Sequence, residues 1–246
     1  MTPPPDLGPR AAGALASPAS QHPGWRSRGY LPHFDAADTW QSITYRLADA
    51  MPRHAIEAME RQLKTVPDPD RHKERRRHLE AWADAGHGTC LLRRPDVAQI
   101  LWDNWQRFAG ERYDMGPWVI MPNHVHLLIR THGGSPLENI LRSWKSFTAK
   151  RIMEVASVPA PVWHHDYWDR FIRDEGHWLS TKAYIENNPV TAGLVSHAAD
   201  WPWSSVSWGQ GRVRDRAPLA RFEDAEFHEE RASGARSQKS SHPCGG

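Results

Sequence analysis

The residues of this chain best suited to chemistry are His124 and His126, set one residue apart in Trp118-Val119-Ile120-Met121-Pro122-Asn123-His124-Val125-His126-Leu127-Leu128-Ile129-Arg130. Two short apolar runs flank Pro122-Asn123, a pattern that predicts an antiparallel hairpin closed by a tight turn. On the second strand side chains alternate, so Val125, Leu127 and Ile129 form a core face while His124, His126 and Leu128 point the other way. Two imidazoles side by side can share one divalent cation or one phosphate. A pair of hydrogen-bonded surface histidines would give the same spacing. A second pair, Tyr184 and Asn188, is four residues apart and so shares one face of a predicted helix. A phenol and an amide placed there can face one object; a rim tyrosine and a turn asparagine are the plainer alternative. The third group is basic: Arg142, Lys145, Lys150 and Arg151, with Ser143, Ser146 and Thr148 between them. These could meet a phosphate backbone or line the wet side of an amphipathic helix.

The elements that must position these groups can be read in order. Trp40 to Leu47 has strand character around Ile43, Thr44 and Tyr45. From 52 to 84, helix formers with Ile56, Met59 and Leu63 at helical spacing, broken by Pro67-Asp68-Pro69, predict an inserted helical hairpin. Its run Arg71-His72-Lys73-Glu74-Arg75-Arg76-Arg77 reads first as a solvated face with local acidic partners. A helix over 95–108 carries Val97, Ile100, Leu101, Trp105 and Phe108 on one stripe. After the hairpin and Gly133-Gly134-Ser135, a helix over 136–154 buries Leu137, Ile140, Leu141, Trp144, Phe147 and Ile152. Val162 to Arg173 supplies another strand, and a last helix over 177–187 is expected to stop at Pro189. The order predicts an α+β, ferredoxin-like or RRM-like antiparallel sheet with helices on one face.

Composition narrows the classes. With 246 residues, one domain with extensions is expected, over residues 25–208 including the 52–84 insertion. Residues 1–24 and most of 209–246 read as disordered tails, although Leu219, Phe222 and Phe227 could mark a short docked segment. A formal charge of +2 means that any nucleic-acid surface must be a local patch. Thirteen tryptophans can be core or can stack on bases. The two cysteines, Cys90 and Cys244, lack zinc-site spacing and fit a reducing compartment. No secretory layout and no run of membrane-spanning length is seen, so a soluble cytoplasmic protein without a membrane partner is expected.

Five segments together resemble a known family: Tyr30-Leu31-Pro32-His33-Phe34-Asp35, the Met121 to Leu128 stretch, Ser143-Trp144-Lys145-Ser146-Phe147-Thr148-Ala149-Lys150, Tyr184-Ile185-Glu186-Asn187-Asn188-Pro189-Val190 with Ala192-Gly193-Leu194-Val195, and Trp201-Pro202-Trp203-Ser204-Ser205. In this order over residues 25–208 they are similar to REP-associated tyrosine transposases, of the IS200-like single-tyrosine branch of the HUH endonucleases. The resemblance implies that His124, His126 and Asn188 hold Mg²⁺ or Mn²⁺ and that Tyr184 is the nucleophile. It implies a single-stranded DNA substrate beside a REP-like palindromic hairpin, cleaved to a 5′-phosphotyrosyl enzyme and a free 3′-hydroxyl. Arg142, Lys145, Lys150, Arg151 and Trp144 are the expected DNA contacts. The expected form is a monomer associated with the nucleoid when on DNA, with a dimer as the alternative. His164-His165 departs from the family pattern and could contact DNA or offer further ligands. No carboxylate is required among the ligands. The competing reading is a non-catalytic hairpin-binding protein of the same fold, which has no chemical need for His124, His126, Tyr184 and Asn188 together.

Overall fold

A computed structural model of the chain describes residues 25–27, 32–34, 38–133 and 135–209. The expected N-terminal tail, the segment from 210 onward with Leu219, Phe222 and Phe227, and half of the Tyr30 to Asp35 motif lie outside the described residues. Two three-residue strands, β1 (Trp25–Ser27) and β2 (Pro32–Phe34), pair antiparallel before the main sheet begins. The main sheet comprises β3 (Trp40–Arg46), β4 (Tyr113–Ile120), β5 (His124–Thr131) and β6 (Trp168–Phe171) in the order β4-β5-β3-β6, with every neighbouring pair antiparallel. Numbered within this sheet alone the order is that of the split βαβ repeat, as predicted. The α+β architecture is therefore set by the sheet itself. The strand predicted from Val162 onward is shorter than expected, with only a single bridge from Trp163 to Leu47 preceding β6.

Helices α3 (Pro95–Gln106) and α4 (Leu137–Ala156) pack on one face. There Ile43, Tyr45, Val125, Leu127 and Ile129 of the strands meet Val97, Leu101 and Trp105 of α3 and Leu141, Trp144 and Ile152 of α4. This is the larger core, and it contains polar atoms that satisfy each other: Trp105 Nε1 donates to the Tyr45 hydroxyl at 3.0 Å and Trp144 Nε1 to the Tyr113 hydroxyl at 3.1 Å. Burial drives the Tyr45 and Tyr113 phenols well above their ordinary values, so both stay neutral.

The opposite face is covered in part as well. Helix α5 (Glu175–Thr191) lays Trp178 and Ile185 against Trp40, Val119 and Leu128, and Trp201 closes the cluster. The sheet thus has the two expected helices on one side and α5 on the other. Asp174 caps α5, accepting from the His177 N–H at 2.7 Å. The helix does not stop before Pro189, contrary to the sequence expectation, and runs to Thr191. The proline falls in the last turn, where its missing N–H removes one bond, and the burial of Ile185, Asn188 and Pro189 offsets that cost. Asn188 is therefore held by regular helix on both sides. Beyond α5 the chain turns back along the edge of β4: Ile120 N–H donates to the Trp203 carbonyl, Trp118 N–H to Ser205 Oγ and Trp201 Nε1 to the Ile120 carbonyl.

The insertion is a pair of helices, α1 (Arg53–Leu63) and α2 (Asp68–Asp84). Three arginines of its basic run have internal partners. Arg71 donates to the Leu63 and Val66 carbonyls, Arg75 to Glu60 and Arg77 to Glu74. At the return to the main fold Gly88 adopts φ +87°, Thr89 N–H donates to Asp49 Oδ2 at 2.7 Å, and Leu92 N–H donates to the Pro122 carbonyl. The segment that follows α2 is thereby tied to the β4–β5 turn.

Candidate functional site

Strand register decides what surrounds the two histidines. In the β3–β5 pair Thr44 lies opposite His126 and Arg46 opposite His124, while Ile43 and Tyr45 lie opposite Leu127 and Val125 on the core side. A slip of one residue would turn the imidazoles under α3 and α4, so the apolar face fixes them on the α5 side of the sheet. The two Nε2 atoms stand 2.9 Å apart with the rings nearly perpendicular. Asn123 Nδ2 donates to the His87 carbonyl at 2.9 Å, which leaves Asn123 Oδ1 as the acceptor for His124 Nδ1 at 2.8 Å. His124 therefore carries its proton on Nδ1 and turns a bare Nε2 inward. His126 Nδ1 is 2.7 Å from Thr44 Oγ1, a contact that holds the ring with its Nε2 turned toward His124 Nε2. Burial, the neighbouring His126 and the charge of Arg46 hold His124 well below the usual imidazole range, so it stays neutral.

A third group arrives from the insertion. Asp84, the last residue of α2, brings Oδ1 to 3.5 Å from His124 Nε2, and one ligand atom each of Asp84, His124 and His126 falls within 4.8 Å of the others. Burial raises the Asp84 carboxyl to about 6, the nearby Glu80 adds to that, and a hydrogen bond from the Asn188 amide pulls the other way. Asp84 Oδ1 and Asn188 Oδ1 are both buried and without a hydrogen-bond partner among the described residues. The two histidine nitrogens and the orphaned Asp84 oxygen, all within 4.8 Å of one another, make a donor set that fits a divalent cation: ligands about 2.1 Å from one ion at right angles stand about 3.0 Å apart. The orphaned Asn188 oxygen, on an amide that is hydrogen-bonded to Asp84, is a further candidate ligand.

Tyr184 lies one helical turn before Asn188, 36 % exposed, with its ring centroid 5.3 Å from that of His126 at 76°. The expected His124, His126, Tyr184 and Asn188 are thus brought together. Sequence reasoning missed Asp84. Its one sequence signal was an acid at the C-terminal end of a helix, where the macrodipole disfavours negative charge and some other interaction must hold it.

The expected DNA contacts fare differently. Trp144 is 2 % exposed on the core side of the sheet, its ring between Tyr113 and Trp105, so it offers no face to a base; the helical stripe placed it inside. Trp163 is buried likewise and donates to Thr148 Oγ1. Arg142 pairs with Glu138 and Arg151 with Glu154, acids that stand just outside the run read as free of them. Lys145 Nζ donates to the His165 carbonyl at 2.8 Å, and burial brings its ammonium down to about 8. Lys150 projects from the exposed half of α4. His164 stacks on His165 with centroids 4.3 Å apart and is pushed down to about 4, chiefly by burial, so it is neutral. Among the described residues no helix is long and apolar enough to cross a membrane.

No protein-family model and no curated protein sequence matches the chain. Among solved structures, the chain is similar to a REP-associated tyrosine transposase bound to a REP hairpin, at 16 % identity and a TM-score of 0.44, covering 79 % of this chain and 94 % of that one. It is also similar to a candidate transposase from Deinococcus radiodurans R1, at 14 % identity and a TM-score of 0.28, covering 66 % of this chain and 96 % of that one.

Proposed function

We propose that the protein is a metal-dependent endonuclease and strand transferase for single-stranded DNA, transposase-like, which cuts beside REP-type hairpins through a 5′-phosphotyrosine on Tyr184. One observation carries the reading: a partly exposed phenol rests against His126 on the face of the sheet where the ligand atoms of Asp84, His124 and His126 converge, with the Asn188 amide hydrogen-bonded to Asp84 beside them. The residues His124, His126, Asp84 and Asn188 would hold Mg²⁺ or Mn²⁺, and the ion would supply Lewis-acid polarisation of the scissile phosphate. The carboxylate from the insertion suits these hard cations better than two imidazoles and an amide alone.

The chain's own part follows from its geometry. Tyr184 attacks phosphorus, the bond to the 3′-oxygen breaks, and that oxygen leaves as a 3′-hydroxyl after taking up a proton. The phosphodiester energy is kept in the tyrosyl link, so the 3′-hydroxyl of a strand can later reverse the step without a nucleotide cofactor. A phenol with a reference value near 10 must lose its proton to react. Helix α5 sets the distance between that phenol and the histidines, and Asn188 ties the same helix to Asp84. Lys150 is the proposed phosphate contact on α4; Arg142 and Arg151 would exchange Glu138 and Glu154 for phosphates, at little cost because both pairs are solvated. The partner is hairpin DNA with a single-stranded flank, and the working form is a cytoplasmic monomer that joins the nucleoid through that DNA.

The test is incubation of the purified chain with hairpin oligonucleotides copied from the repeats around its own gene, with Mn²⁺, Mg²⁺ or chelator. A covalent protein–DNA band that needs metal and is lost in Tyr184→Phe is expected on a denaturing gel. Hairpin binding without any nick or adduct under either metal would replace the enzyme with a binding factor.

A further inference from the structure

We propose that the cavity between the inserted helical hairpin and the sheet receives one unstacked nucleobase of the strand being cut, a reading that rests on the function proposed above. The cavity measures about 260 Å³ and has His124 and His126 in its wall, so whatever fills it lies beside the cluster that these histidines form with Asp84. One side is aliphatic, from Met59 of α1 and Leu79 of α2; Tyr167 and Trp168 line it with rings from the segment entering β6. Arg46 and Glu80 add a donor and an acceptor.

Three features select a base. Aliphatic groups and flat rings together suit a planar guest, as in the sites that hold extruded bases between aromatic and apolar side chains. The size is just below the roughly 300 Å³ at which pockets for drug-sized ligands begin, room for one ring system and little more. A guanidinium and a carboxylate match the mixture of acceptors and donors on a base edge, whereas a phosphate would meet mostly carbon and the Glu80 charge. The guest must come from a single strand, because a paired base would first have to break its stack. His164, also in the lining, is neutral and adds no charge that would draw a phosphate instead.

Because two helices of the insertion form one side of this cavity, the 52–84 segment acquires a role: it selects the nucleotide next to the cleaved linkage. The sheet and α5 supply the reaction centre, and the insertion supplies the choice of sequence beside it.

The experiment uses hairpin oligonucleotides whose single-stranded flank carries 2-aminopurine at one position at a time, bound to full-length Tyr184→Phe protein with Mn²⁺ so that no cutting occurs. One position is expected to change its fluorescence several-fold more than its neighbours, by about fivefold, as stacking in a protein pocket replaces stacking in the strand. Met59→Trp and Leu79→Trp, which fill the cavity from two different helices, are each expected to abolish that contrast while circular dichroism remains native. Equal responses at all positions, or a contrast that survives both substitutions, would overturn the pocket. The native chain is run on the unmodified oligonucleotides in parallel. An adduct without a positional contrast removes the pocket alone, a contrast without an adduct removes the enzyme reading alone, and absence of binding removes both.

Discussion

The orientation of the two imidazoles depends on a residue that touches no ion. Asn123 bridges the His87 carbonyl and His124 Nδ1, so Asn123→Ala leaves His124 free to take the wrong tautomer or swing away. Mn²⁺ affinity measured by calorimetry is expected to fall about 10- to 100-fold, the usual cost of losing such an outer partner. Asp84 gives the opposite kind of signature. Its carboxyl rises from 3.8 to about 6 on folding, so between those values the folded chain binds more protons than the unfolded one. Stability in chelator therefore falls as pH rises through this window and levels off above it. Asp84→Asn is expected to flatten that limb and to raise the melting temperature at pH 7 by about 2 °C, after discounting for partial solvent access. It should also lose much of the stabilisation that Mn²⁺ gives the native chain. The contrast between these residues shows where sequence reading succeeds. His124 and His126 are legible because a two-residue period fixes their face whatever the rest of the fold does. Asp84 is not, because its meaning comes from where an insertion folds back, which no local period records.

At the level of elements the insertion is held at its return. A Cβ on Gly88 would stand 2.6 Å from the Asp49 carbonyl oxygen, at a backbone angle that side chains resist. Gly88→Ala is thus expected to break the Thr89 to Asp49 bond and cost about 1–3 kcal/mol by denaturant titration. Mn²⁺ affinity should drop with it, because the end of α2 carries Asp84. Helix α5 shows a different limit of local reading. Proline chemistry predicts an end before Pro189, yet three buried residues in the last two turns carry the helix on to Thr191. Tertiary burial outweighed one backbone bond. In α4 the basic run was legible but its partners were not, because Glu138 and Glu154 sit one turn outside it and reach back in.

Across the whole molecule the sheet divides labour between its faces. The side under α3 and α4 holds the larger core, and Tyr45→Phe there would strand Trp105 Nε1 in a dry interior. A loss of about 1–3 kcal/mol in global stability is expected by chemical denaturation, with Mn²⁺ affinity of the folded fraction unchanged. The other side has a smaller apolar cluster and also carries the donor groups. Those groups come from the insertion, from one central strand and from the last long helix, three segments far apart along the chain. A nascent chain that has made β5 but not α5 has two histidines and no phenol beside them. A chain whose insertion has come loose has no carboxylate. On the proposed chemistry, incomplete or damaged copies are harmless to the chromosome, and the fold acts as its own safety interlock: the blade is armed only when every part is seated.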